Sequence, residues 1–316
     1  MDPDLLKETE SLQQEEKVPR RINWEIKDLV HPIVLRRRLL WRAGLALGML
    51  AGIALVVWAL FLRPPTGPAL LDDMVRVAGG QDAWNTITDG SFRRIHTRYD
   101  DNGAVIYTDD VRFYFRKGDG GFKMVIESIS DLGRVLIGFD DQGYWATKDG
   151  DTVGPLAVAR RLDMACEADK CTPLCGAEMA FYRFSMPFKL TDPGVIPRFG
   201  GHSTLNGKAM LLLDVTFEPE VGKDRWVAYV DEETRLIRKI EHYPSADGDA
   251  PPEEIYWSDY QTENGITFSH TRSYYRSNGS KLEEYVISDV DLSTPIPDER
   301  LVRPESRPVQ NVSMQP

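Results

Sequence analysis

The sequence predicts an α+β fold, mainly antiparallel β: a single N-terminal transmembrane helix, then an open curved half-barrel of about eleven strands with inserted helices. Three observations carry this. Residues Ala43 to Leu62 run for twenty positions without a charge. After them, apolar and polar residues alternate in short stretches joined by Asp/Asn/Gly turns. Between about Val153 and Pro197 the alternation gives way to helical spacing.

The chain has 316 residues. Residues 1–35 read as a cytoplasmic lead. Its first part, to Pro19, is polar, and Ile22, Ile26, Leu29 and Val30 then fall on one helical face until Pro32. This suits a short amphipathic helix on a membrane surface or against a partner. Residues 36–63 read as a signal-anchor. A helix of twenty residues is about 30 Å long, the thickness of a bilayer's hydrocarbon core. Arg36, Arg37, Arg38 and Arg42 precede the run and only Arg63 follows closely, so the N-terminus is expected inside and the remainder outside. For a bacterial chain this means the inner membrane, with the C-terminal domain in the periplasm. The exit Arg63-Pro64-Pro65-Thr66-Gly67-Pro68 has no small-x-small cleavage pattern, which favours retention. Gly44, Gly48 and Gly52 recur every four residues, a flat stripe that another transmembrane helix could approach.

The outer domain is expected over residues 64–292. Leu70 to Ala78 form a short helix stopped by Gly79-Gly80, and Trp84 folds back onto the core. Strands follow at Phe92–Tyr99, Ala104–Arg116, Phe122–Ile129, Val135–Phe139 and Tyr144–Thr147. Their tight Asp/Asn/Gly turns require antiparallel neighbours, because parallel strands need long crossovers. The helical insertion comprises Leu156 to Leu162, a cysteine-containing loop, and a helix over Ala177 to Met186 that is apolar on most sides. Six more strands follow: Met210–Phe217, Trp226–Asp231, Leu236–Tyr243, Ile255–Thr262, Ile266–Tyr275 and Lys281–Asp291. Residues 293–316 contain five prolines and read as a Pro-rich tail without packing potential.

Charge narrows the partners. Residues 1–63 carry ten basic against eight acidic side chains, which leaves 28 against 41 for the outer domain. So acidic a surface has no electrostatic reason to bind nucleic acid. Cys166, Cys171 and Cys175 share one loop with no histidine nearby, and their spacing matches no usual zinc or iron–sulfur pattern. In an oxidising compartment one local disulfide is the simpler use, with the pairing left open. No nucleophile elbow, phosphate loop or metalloprotease motif occurs, so neither a catalytic residue, a metal nor a cofactor is indicated and the reading is not an enzyme. His96, His242 and His270 read as surface or half-buried strand positions. Acidic pairs such as Asp109-Asp110 and Glu283-Glu284 read as solvated turns or edge charge.

The opening helix ending Ala78-Gly79-Gly80 with Trp84, the stretch Val227 to Ile240, and the run Asp259-Tyr260 with Asn264 to Thr271 resemble the LolA/LolB-like superfamily of lipoprotein carriers and lipoprotein-sorting proteins. The resemblance covers most of residues 68–292. It implies a half-barrel whose concave side, closed by helices, holds acyl chains, with Leu162, Met179, Phe181, Phe184 and Met186 as the candidate apolar groove. Two functions are therefore expected. One is a membrane-tethered domain that binds a lipid, acyl chain or other apolar ligand. The other is a non-catalytic accessory subunit of an inner-membrane complex, respiratory or photosynthetic for instance, which docks through its transmembrane helix against other transmembrane subunits.

Overall fold

The computed structural model describes residues 40–56, 65–118, 121–130, 133–140, 143–154, 173–245, 251–276 and 278–303. The chain divides into two compact units, Met1–Pro64 and Pro65–Pro316. In the first, residues 40–56 form a helix, α1, exposed along its length. Among the described residues no helix is long and apolar enough to cross a membrane. The expected span lies only partly within them, since residues 57–62 fall outside.

In the second unit the chain enters through helix α2 (Gly67–Val77). Thr66 caps it, its hydroxyl accepting from the Ala69 amide at 3.3 Å, and a proline occupies the first turn. Leu70, Leu71, Met74 and Val75 form its buried face. Gly79 then adopts φ +120°, and a Cβ there would stand 2.3 Å from the Gly265 carbonyl oxygen. Glycine is required at this position both for the backbone angle and for the close approach. Helix α3 (Gln81–Thr86) delivers Trp84 to the interior, where it is 5% exposed.

Thirteen strands follow, not the eleven expected: β1 (Asp89–Tyr99), β2 (Val105–Arg116), β3 (Lys123–Ser130), β4 (Gly133–Asp140), β5 (Gly143–Lys148), β6 (Asp151–Thr152), β7 (Val195–Leu205), β8 (Lys208–Phe217), β9 (Arg225–Asp231), β10 (Ile237–Tyr243), β11 (Glu253–Glu263), β12 (Ile266–Tyr275) and β13 (Lys281–Asp291). They form one antiparallel sheet in the order β6-β5-β4-β3-β2-β1-β13-β12-β11-β10-β9-β8-β7. Every neighbour is a sequence neighbour except β1 and β13, whose pairing joins the two meanders. The sheet is therefore open, with β6 and β7 at its edges. Strand β7 escaped the sequence reading because it contains Pro197 and Gly200-Gly201 and lacks a buried alternate row. An edge strand tolerates all three, since Pro lacks only a donor that no neighbour needs and the register shift between Phe199 and Gly201 absorbs the glycines.

Helix α4 (Pro173–Phe184) and a 3-10 turn (Phe188–Thr191) lie between the two edge strands in sequence. Their aromatic residues pack into the sheet's inner core. Phe184 stacks between Phe92 at 4.1 Å and Phe268 at 4.6 Å, and Phe92 in turn stacks on Phe113 at 4.6 Å.

The opposite face carries a smaller apolar cluster of Val125, Trp145, Ile296 and Leu301. Trp145 lies flat over Gly138, where a Cβ would come within 2.1 Å of the indole. Ile296 and Leu301 belong to the segment expected to be an unpacked tail. They are 7% and 1% exposed, and short helix α5 (Asp298–Leu301) belongs to that segment. Arg116 holds the segment down by donating to Asp298 and to the Ile296 carbonyl, and Arg300 donates to Glu127 at 3.1 Å. Ile296 and Leu301 thus pack against Val125 and Trp145 while Arg116 and Arg300 tie the segment down, contacts that its proline content concealed.

Candidate functional site

The helices and the strands on both sides of the β1–β13 seam wall a cavity of about 750 Å³, within the range of about 300–1,000 Å³ usual for small-molecule sites. Its walls include Trp84, Phe122, Phe139, Phe181, Phe217 and Trp226, with Met179 and Tyr182 from α4. Trp84, Phe181 and Trp226 are buried and stand at its floor, continuous with the aromatic core through Trp84–Phe188 at 5.0 Å and Phe115–Phe181 at 4.9 Å. Polar residues form the more exposed margin: Gln81, Asn85, Lys117, Lys189, Asp192 and Asp224.

Three of the four charges on this margin are satisfied by one another or by a neighbour. Lys189 pairs with Asp192, and Asp224 accepts from His242 Nε2 at 2.7 Å. Lys117 differs. Its ammonium donates to the Trp84 carbonyl and lies 3.9 Å from the Trp84 ring centroid, with no carboxylate in ion-pair contact among the described residues. Burial, and secondarily Lys189, push it down to about 8, while Asp192 acts in the other direction. The Tyr182 hydroxyl and the Trp226 indole nitrogen, both on wall residues, have no hydrogen-bond partner among the described residues.

Beyond the aromatic core the same strands turn polar on their inner face. Arg94, His96, Asp109, His270 and Arg272 are all buried, 8%, 2%, 5%, 4% and 5% exposed. His96 Nε2 shares a hydrogen bond of 3.1 Å with Glu283 and stacks on Tyr285 at 4.3 Å. Arg183 of α4 donates to the Tyr274 hydroxyl at 2.6 Å and lies over the Trp226 ring. Arg272 lies 4.4 Å from the Trp257 ring centroid and contacts no carboxylate among the described residues; burial pushes it down to about 10. Asp109 is raised by burial despite Arg94 at 3.5 Å. His242 is raised: burial opposes its charge, but Asp224 and Glu253, which receive its two ring nitrogens at 2.7 and 3.4 Å, more than offset that. A carboxylate at each ring nitrogen favours the doubly donating imidazolium over the neutral ring.

The structure disposes of the expected groove residues unevenly. Met179 and Phe181 line the cavity, whereas Phe184 and Met186 are core residues, 0% and 3% exposed. Leu162 lies outside the described residues. So do Cys166 and Cys171 and the side chain of Cys175, and with them the expected disulfide. Gly44, Gly48 and Gly52 lie on α1 with no atom within 4 Å of where a Cβ would stand. No metal-holding group of three His, Cys, Asp or Glu occurs among the described residues.

Three histidines read as surface or half-buried are buried, and Asp109, read as solvated, is too. The missed signal was strand parity. Arg94 and His96 share a face with Phe92, and His270, Arg272 and Tyr274 share one with Phe268, so a face fixed as inward by its phenylalanine places them inside. Lys117 and Trp226 gave no such signal, because strands distant in sequence bring them to one cavity.

No known protein family matches the chain at the level of sequence, and no curated protein does. Solved structures do. A DUF1329 family protein from Desulfovibrio piger superposes with a TM-score of 0.50 at 14% identity, over 75% of this chain and 97% of the other. A LolA superfamily protein from Nitrosomonas europaea gives 0.48 at 11% identity, over 76% and 99%. A putative outer membrane lipoprotein-sorting protein domain from Vibrio parahaemolyticus gives 0.45 at 12% identity, over 72% and 95%. At such identities the likeness is one of fold.

Proposed function

We propose that this chain is a membrane-tethered binding protein whose outer domain holds an apolar ligand, a lipid or acyl chain, in the cavity beneath α4. The single observation behind the reading is the space itself, about 750 Å³ walled by Trp84, Phe122, Phe139, Phe181, Phe217 and Trp226. Apolar walls of this extent reward removal of a hydrocarbon from water at about 25 cal/mol per Å² of apolar area buried. The resemblance in sequence to lipoprotein carriers supports the same ligand class. Tethering rests on the uncharged run Ala43 to Leu62 and the arginines before it, which assign the inner membrane and a periplasmic outer domain.

A second role is compatible with it. Gly44, Gly48 and Gly52 present a bare stripe on α1, which suits close approach of a helix from another inner-membrane subunit.

Organic extraction of the full chain purified from its native membrane, followed by mass spectrometry, tests the main reading. A stoichiometric acyl-containing species that is lost when Phe181→Asp is introduced supports it. Absence of both co-purification and rebinding of any acyl probe would overturn it.

A further inference from the structure

Resting on that reading, we infer that the cavity's ligand is an amphiphile with an anionic head, a carboxylate or a phosphate, and that Lys117 receives the head while the alkyl chain lies on the aromatic floor. A purely hydrocarbon ligand would need no charge in the wall. Here the margin contains a half-buried ammonium that is held by the Trp84 carbonyl and ring and contacts no carboxylate among the described residues. Desolvating a cation in this way is unfavourable unless an anion joins it. The remaining charges on the margin cannot serve, because Asp192 pairs with Lys189 and Asp224 with His242. Among the described residues that line the cavity, Lys117 is thus the cation without a carboxylate partner.

The Tyr182 hydroxyl and the Trp226 indole N–H belong to wall residues, but both atoms are enclosed by protein and do not open onto the cavity. The head-group preference therefore rests on Lys117 alone, whose positive charge attracts an anionic head and repels a cationic one.

The full chain, delipidated and placed in nanodiscs, is titrated at pH 7 with dodecanoate, dodecyl phosphate, dodecanol and dodecyltrimethylammonium. These share one chain length and differ in the head. At least one anionic probe should bind tenfold or more tightly than dodecanol, and the cationic probe more weakly than dodecanol. Whether carboxylate or phosphate is preferred identifies the source of the head. Lys117→Met should bring the anionic probes to parity with dodecanol and leave dodecanol unchanged, and Lys117→Arg should retain the preference. Equal affinity of the wild-type chain for dodecanol and both anions would overturn the anionic-head inference while sparing the apolar site. Failure of all four probes to bind would overturn the apolar site itself.

Discussion

Phe92 and His96 stand on the same strand and the same face, yet they meet opposite surroundings. Phe92 stacks on Phe113 and Phe184 in a wholly apolar layer. His96 bonds Glu283 and stacks on Tyr285, near Arg94 and Asp109. The division runs across the sheet. On β12, Ile266 and Phe268 belong to the apolar layer, while His270, Arg272 and Tyr274 belong to the polar one. The apolar layer is continuous with the cavity, through Trp84 and Phe181. The polar layer is filled by the protein's own ionic and aromatic groups. The concave face of this sheet is thus two surfaces, and it is the apolar one that supplies the cavity's aromatic floor. The polar layer meets the cavity at its side, where Asp224 bonds His242 and Arg183 lies over Trp226.

The strongest way to break the contrast is to remove its apolar centre. Phe184→Ala deletes a ring that is 0% exposed and stacked on both sides, and should lose about 3–5 kcal/mol of stability, measured by denaturant unfolding of the full chain in nanodiscs. A loss under about 1 kcal/mol would mean that α4 is not packed as described.

In the polar layer the effects are smaller and depend on pH. The ordinary histidine pKa is about 6.5, and that of His242 is raised in the folded protein by Asp224 and Glu253 against the opposing effects of burial and Arg183. Its contribution is therefore complete below about pH 6.5 and is lost as pH rises through the folded value. His242→Gln should cost about 1–2 kcal/mol at pH 6, since both carboxylates stay partly solvated, and less as pH rises to 9. Melting temperatures of the two proteins across that range give the test; a constant gap would reject the imidazolium.

A third change separates desolvated charge from packed volume. Arg272 contacts no carboxylate among the described residues and is pushed down by burial. Arg272→Met keeps most of the volume, loses the stacking on Trp257, and should raise stability by about 1 kcal/mol. A loss of similar size would show that the guanidinium supports the polar layer more than it burdens it. The smallest effect is expected at the cavity wall, where Tyr182→Phe removes a buried hydroxyl without a partner and should stabilise the ligand-free protein by about 0.5 kcal/mol.

Much of this architecture was legible before any coordinates. The antiparallel meander followed from turns such as Asn206-Gly207 and Asn264-Gly265, because a two-residue Asn-Gly link closes only an antiparallel pair. The apolar character of Met179, Phe181 and Phe184 announced a helix covered on several sides. It did not divide them between cavity and core, since that depends on which strand each ring meets. Strand β7 was hidden by Pro197 and its glycines, which are turn residues in sequence and edge-strand residues in the sheet. The polar layer was hidden for a different reason. Arg94, His96 and Arg272 have the composition of a solvated surface, and only their parity with Phe92 and Phe268 turns them inward. Lys117 and Trp226 are separated by most of the domain in sequence, and only the tertiary fold makes them walls of one cavity.

The central claim is that hydrocarbon enters the aromatic cavity and not the polar layer beside it. Photo-crosslinking the full chain in nanodiscs with a dodecanol carrying a terminal diazirine, then mapping the labelled peptides by mass spectrometry, tests this most directly, because a neutral head leaves Lys117 out of the result. Labels on Phe122, Phe139, Met179 or Phe217, abolished by excess dodecanol, are the predicted outcome. Labels on Arg94, Arg272 or Tyr285, or labels on the cavity that dodecanol does not compete away, would contradict it.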